Sequence, residues 1–152
     1  MPDRALRLLT YRELELMVCG DAFVDVPTLR SHATYQGWDA RDRVVQSFWR
    51  VFAALSNEDR SKFIRFTWGR SRLPKPAQWT KPFKLTKKNG GDGQLPIAHT
   101  WCAHSAYAPH VICGFGFSFF QIELPSYSSD EVMRKNLLIA IHYGTGGEFH
   151  IA

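Results

Sequence analysis

The stretch that most constrains the fold is Phe119-Phe120-Gln121-Ile122-Glu123-Leu124-Pro125-Ser126-Tyr127. From Phe119 to Leu124 the residues alternate, with Phe120, Ile122 and Leu124 on one side and Gln121 and Glu123 on the other. Successive side chains of a strand point to opposite faces, so the pattern predicts a half-buried strand. A second string, Leu95-Pro96-Ile97-Ala98-His99-Thr100, lies upstream. Residues 101–118 separate the two, and they contain no Asp, Glu, Lys or Arg although both flanks are charged. A surface loop would ordinarily carry some charge. The chain is therefore organised around one interrupted stretch.

A length of 152 residues is one domain's worth. Hydrophobic residues make up 45%, enough to supply a core. The net charge of +5 is not gathered into a dense Lys/Arg block, which argues for a solvated basic face and against a nucleic-acid partner. Residues 1–9 carry Asp3, Arg4 and Arg7 and lack the apolar segment of a signal peptide. No apolar run is long enough to span a bilayer, so no membrane partner is expected. Cys19, Cys102 and Cys113 form an odd set without framework spacing. That favours a reducing, intracellular setting, read here as cytoplasmic, over a disulfide scaffold. No cofactor is expected.

Taken in order, Thr10-Tyr11-Arg12-Glu13 has the form of a capping box, opening a short helix that Gly20 stops. Phe23-Val24-Asp25-Val26 alternates and predicts a strand limited by Pro27. Asp39 is a candidate N-cap for a helix whose apolar face is Val44, Val45, Phe48, Phe52 and Leu55. Ser56-Asn57-Glu58-Asp59 restarts a helix with Phe63, Ile64 and Phe66 on its apolar side, ended by Gly69. The tight link predicts an antiparallel helix pair. Residues 70–88 read as an extended Pro- and Lys-rich connection into a short strand around Phe83-Lys84-Leu85, and residues 89–93 as a flexible turn. Ser128-Ser129-Asp130-Glu131 reads as a second capping box, for a helix with Val132, Leu137, Leu138 and Ile141 inward. Gly144, Gly146 and Gly147 end it and leave a loose tail.

Joined, the two halves of the interrupted stretch resemble the active-site signature of HECT ubiquitin ligases. There a Leu-Pro pair leads into Thr-Cys-Phe, and a short strand ends at Leu-Pro-x-Tyr. Further strings fit: Glu13 to Gly20 resembles the last helix of the first lobe, and Arg65 to Pro74 resembles a helix-to-loop string of HERC-type members. The resemblance covers nearly the whole chain and implies an α+β fold, a small sheet packed with helices, preceded by that last helix. It places the end of the N-lobe at 1–20, the interlobe hinge at 21–22, and the C-lobe at 23–152 with an atypical insertion at 101–118. It implies a ubiquitin-protein transferase that accepts ubiquitin on a Cys thioester and passes it to substrate lysines. Its partners would be ubiquitin, a conjugating enzyme bound through the missing remainder of the N-lobe, and protein substrates. The chain is on this reading a fragment of a larger protein or an incomplete gene product. Such chemistry needs an exposed Cys with thiolate character and a thioester held where an amine can approach. His99 and Thr100 are candidates to orient that Cys, or are ordinary loop polarity. Phe149, fourth from the C-terminus, stands where many members carry a Phe that assists transfer; without the family it would be an unanchored tail aromatic.

Three readings of the interruption stand side by side. The first is a retained intron. Trp101 is encoded by TGG; cutting after TG leaves its last G, followed by the T that begins Cys102's codon, so the removed segment starts GT. Ser118 as AGC or AGT can supply the closing AG, and the remaining base rejoins TG to encode Cys. The repaired string, Leu-Pro-Ile-Ala-His-Thr-Cys-Phe-Phe-Gln, is the family motif. On this reading, which carries the most weight, Trp101 occupies the nucleophile's place and the chain as written is inactive. The second is a genuine insertion with Cys102 as a displaced nucleophile; its bland counterpart is an inert thiol in an apolar loop. The third is a zinc site of Cys102, His104, His110 and Cys113, whose C-x-H spacing is tighter than common fingers use. The competing functional classes are thus a non-catalytic lobe that binds ubiquitin or another partner, and a zinc-stabilised binding module.

Overall fold

The computed structural model of the chain describes residues 10, 11, 13, 20, 22–73, 79, 82–98 and 120–144. Among the described residues, four helices and four strands are complete and lie in chain order: α1 Val26–Ser31, β1 Ala33–Gln36, α2 Arg43–Ala54, α3 Asn57–Trp68, β2 Phe83–Lys87, β3 Ile97–Ala98, β4 Gln121–Leu124 and α4 Asp130–Tyr143. The fold is α+β with one small mixed sheet, as expected.

The sheet has the order β1-β2-β4-β3. β1 runs parallel to β2, pairing Ala33 with Phe83 through Gln36 with Thr86. β2 runs parallel to β4, pairing Lys84 with Gln121 through Lys87 with Leu124. Parallel neighbours need a long crossover, and α2 with α3 supplies the first. Phe83, Leu85, Ile122 and Leu124 are buried on one face of the sheet. Their neighbours Lys84, Thr86, Gln121 and Glu123 are only half-buried, which is the alternation that the sequence shows.

Against the apolar face lies an aromatic cluster. Phe48, Phe52, Phe63 and Phe83 have no exposed surface. The rings of Phe52 and Phe63 meet at 4.8 Å, and Phe83 meets Phe120 at 4.8 Å. α2 buries Val44, Val45, Ser47, Phe48, Trp49, Val51 and Phe52, a broader face than the predicted stripe because α4 packs on it as well. α2 and α3 touch through Phe48, Phe52 and Phe63, but their extended packing is with α4, which serves both. The expected simple helix pair is therefore a three-helix layer.

Local signals explain most boundaries. Thr10 and Glu13 form the reciprocal capping box: the Thr10 amide donates to Glu13 Oε2 at 2.8 Å and the Glu13 amide to Thr10 Oγ1 at 3.3 Å. Ser56 caps α3, accepting from the Asp59 amide at 3.1 Å, and Gly69 closes it with φ +77°.

Three boundaries differ from the sequence reading. Val24 to Val26 is no strand: Asp25 caps α1, its carboxylate accepting from the Thr28 amide at 2.8 Å, and Pro27 sits in the first turn. A proline there gives up an amide that has no helical partner, so Asp-x-Pro outweighs four alternating residues. Asp39 does not cap α2, which begins after Asp42; Asp39 instead organises the preceding turn, accepting from the Arg41 amide at 2.8 Å. Ser129, not Ser128, caps α4, accepting from the Val132 amide at 3.3 Å. Along α4, Leu137 and Ile141 are buried as expected, together with Met133, Asn136 and Ala140; Val132 and Leu138 are half-buried.

Candidate functional site

The two halves of the interrupted motif meet in the sheet. β3 pairs antiparallel with β4, Ile97 opposite Glu123 and Ala98 opposite Ile122. Ala98 and Gln121, which flank residues 99–120 in the sequence, thus lie on neighbouring strands. His99, Thr100, Trp101, Cys102, His104, His110, Cys113 and Phe149 lie outside the described residues, as does Cys19. Among the described residues no group of His, Cys, Asp or Glu is arranged to hold a metal ion.

Pro96 is buried, while Leu95 and Ile97 on either side are 42% and 41% exposed. At the other end of the motif, Tyr127 is 3% exposed, and its hydroxyl donates to the Gln94 carbonyl at 2.8 Å. Burial pushes the Tyr127 phenol up to about 12, so it stays a donor throughout the neutral range. Its backbone is fixed from α2: the Arg43 guanidinium donates to the Tyr127 carbonyl at 3.1 Å and to the Ser128 carbonyl at 2.9 Å. The Leu-Pro and Pro-x-Tyr ends of the motif are therefore hydrogen-bonded to each other by way of Gln94.

Sequence reasoning missed Asp92. Its carboxylate accepts from the Ser128 hydroxyl at 2.5 Å and the Ser128 amide at 2.7 Å, and these bonds hold it below the usual carboxylate range. Its carbonyl accepts from Asn136 Nδ2 at 2.8 Å, and the Ser126 amide donates to the Gly90 carbonyl at 3.1 Å. The turn at 89–93, expected to be flexible, is tied to the start of α4. A buried Asn136 at a helical position among apolar residues was the one available hint.

A cleft of about 410 Å³ lies between α3 and residues 71–72, lined by Asn57, Ser61, Lys62 and Arg65 among others. No motif residue lines it, and two of its three cations are engaged: Lys62 pairs with Glu58 at 2.7 Å and Arg72 donates to the Gly20 carbonyl at 3.3 Å. The motif, not this cleft, is the candidate site.

The profile of the HECT-domain (ubiquitin-transferase) family matches residues 1–152. The chain belongs to the HECT-domain family. It is 34% identical over 143 residues to the E3 ubiquitin-protein ligase HERC2 of Mus musculus, covering 94% of this chain and 3% of that protein. It is 35% identical over 141 residues to the E3 ubiquitin-protein ligase pub3 of Schizosaccharomyces pombe, covering 89% of this chain and 16% of that protein. A probable E3 ubiquitin-protein ligase, hulA of Aspergillus flavus, is 30% identical over 152 residues, covering 96% of this chain and 17% of that protein. The resemblance to HERC-type members is thus matched by one to pub3. The HECT chain spans a small part of the length of these relatives, whose names mark a ubiquitin-protein transferase family. Among its described residues no helix is long and apolar enough to cross a membrane.

Proposed function

We propose that this chain is the C-terminal lobe of a HECT ubiquitin ligase whose Cys motif is split by residues 101–118, and that it forms no ubiquitin thioester as written. Residues 1–20 end the N-lobe, 21–22 form the hinge and 23–152 form the C-lobe. The observation that carries this reading is the β3–β4 register. Ala98 and Ile122 face one another across the sheet. Removing residues 102–118 and placing Cys at position 101 would leave a short hairpin connection with a thiol between Thr100 and Phe119. A loop between paired strands exposes a Cys and fixes where its thioester lies.

The reaction has two steps. The Cys thiolate attacks the thioester carbonyl joining ubiquitin to the conjugating enzyme, and that enzyme's thiolate leaves. A substrate lysine amine then attacks the new thioester, the amide forms, and the Cys thiolate leaves as the amine loses its proton. His99 and Thr100 orient the thiol and Phe149 assists transfer. Cys102 in the present chain follows a bulky indole in an uncharged stretch, one position beyond the motif's place for the nucleophile. The conjugating enzyme binds through the remainder of the N-lobe, and the substrates are protein lysines.

The test fuses the chain to a complete N-lobe and supplies the activating and conjugating enzymes. A non-reducing gel should show no thiol-reversible adduct for the chain as written, and one for the version lacking 102–118 with Trp101→Cys. An adduct on the unmodified sequence that disappears with Cys102→Ala would make Cys102 the nucleophile. Transcript sequence across codons 100–119 tests the intron directly: a message that always keeps the segment, or a Ser118 codon of the TCN type, excludes it.

A further inference from the structure

The bonds around Asp92 lie on the base of the motif, and neither the motif nor the family assignment accounts for them. Residues 90–94 enter β3, and residues 125–129 leave β4 for α4. Four contacts join these two segments or the helix behind them: Asp92 to Ser128 twice, Tyr127 to Gln94, and Ser126 to Gly90. A fifth, from Asn136 Nδ2 to the Asp92 carbonyl, comes from the second turn of α4. The clasp thus joins the segment just before β3 to the segment just after β4.

β3 needs such support. Among the described residues it has two and lies at the sheet edge, paired on one side. A pairing that short is marginal by itself. Pro96 is buried, but Leu95 and Ile97 on either side are half-exposed, so packing holds the segment only in part. Two of its bonds end on an ionised carboxylate, which strengthens them relative to neutral ones, though less in solvent than in a buried site.

We propose that Asp92, acting through Ser128, is a positioning residue that holds residues 95–98 in place and so sets how fast the thioester is passed to an amine. This rests on the reading that the nucleophile belongs between Thr100 and Phe119. Asp92 touches no reacting atom in that arrangement. Its effect is to keep the hairpin carrying the thiol from swinging, and displacements of about 1 Å can cost about 100-fold in rate.

Two substitutions separate positioning from charge. Asp92→Ala removes both side-chain bonds. Asp92→Asn can keep both: its carbonyl oxygen accepts from the Ser128 amide, and its amide donates to a Ser128 hydroxyl that has turned around. In the full chain as written, hydrogen exchange of a peptide spanning 93–98 should quicken by about tenfold in Asp92→Ala, and the α3 peptides should not change. In the repaired chain fused to a complete N-lobe, single-turnover discharge onto free lysine should slow by about 10- to 100-fold at saturation. The lysine concentration giving half the maximal rate should stay constant, and Asp92→Asn should recover at least half the rate. Unchanged exchange in Asp92→Ala overturns the clasp. Unchanged discharge, or an Asp92→Asn as slow as Asp92→Ala, overturns the positioning role. A repaired parent that forms no thioester overturns the nucleophile reading itself, and with it this proposal, which distinguishes the two failures.

Discussion

The aromatic layer under the sheet and the clasp at the base of the motif are held by opposite kinds of force. Phe48, Phe52, Phe63 and Phe83 are fully buried, and their rings approach from several directions at 4.8–6.2 Å. Burial is non-directional and grows with area, so the layer is stabilised by many small contacts that respond weakly to pH. The clasp is largely exposed: Asp92, Gln94, Ser126 and Ser128 all face solvent. It depends on a few bonds whose geometry and ionisation must be right. The difference suits the work of each region. The layer fixes where β2 and β4 lie, and the clasp ties residues 90–94 to residues 126–128 beside them.

The sharpest way to break the comparison is to open the layer. Phe63→Ala should lower unfolding stability by about 3–5 kcal/mol, since it removes a buried ring that contacts Phe48, Phe52 and Phe83 and leaves a cavity. Urea unfolding followed by circular dichroism measures this. A loss under about 1 kcal/mol would mean that α3 is not packed as described.

A smaller effect is expected where the layer touches the clasp. Tyr127→Phe keeps the buried ring and removes only the hydroxyl that donates to Gln94. One net hydrogen bond is worth about 0.5–1.5 kcal/mol, and the freed Gln94 carbonyl can turn to water. Urea unfolding should show a loss in that range, with exchange rising in the 93–98 peptide and not in α3. A loss matching Phe63→Ala would show that the clasp and the layer form one cooperative unit.

The same division decides what the sequence could reveal. Periodicity reports burial, so Val45, Phe48, Phe52, Phe63, Phe120, Ile122 and Leu124 are legible from spacing alone. Local capping is legible too, as at Ser56 and Thr10. Competition between local signals is where reading fails: Asp25 and Pro27 start a helix against an alternating pattern, and Ser129 takes the cap one residue beyond Ser128. The motif's two halves are legible as strings, but their meeting across Ala98 and Ile122 is a matter of register. The clasp was hidden because its partners lie 33 to 44 positions apart, where a Gly-rich turn and a Ser pair carry no pattern linking them. Arg43 is a further case, reaching Ser128 from 85 positions away.

The smallest expected effect is also the most specific to the clasp. Two Ser128 donors hold the Asp92 carboxyl below its ordinary value. Arg50, followed by Ser47, does the same for Asp130 at the start of α4. A carboxyl depressed in the folded chain contributes stability that is fully present above its unfolded value and is lost as pH falls through its folded value. Unfolding free energy should therefore be flat with respect to these groups above about pH 5 and fall below about pH 4. Both carboxyls are exposed, so each contribution is modest. Amide chemical shifts give the finer measurement. The Ser128 amide, which donates to Asp92, should titrate with a midpoint below that of an ordinary aspartate, while the Phe63 amide should show no step there. A Ser128 midpoint at or above the ordinary value would mean that the carboxylate is not held by Ser128. The clasp would then be only as firm as the bonds from Tyr127, Ser126 and Asn136.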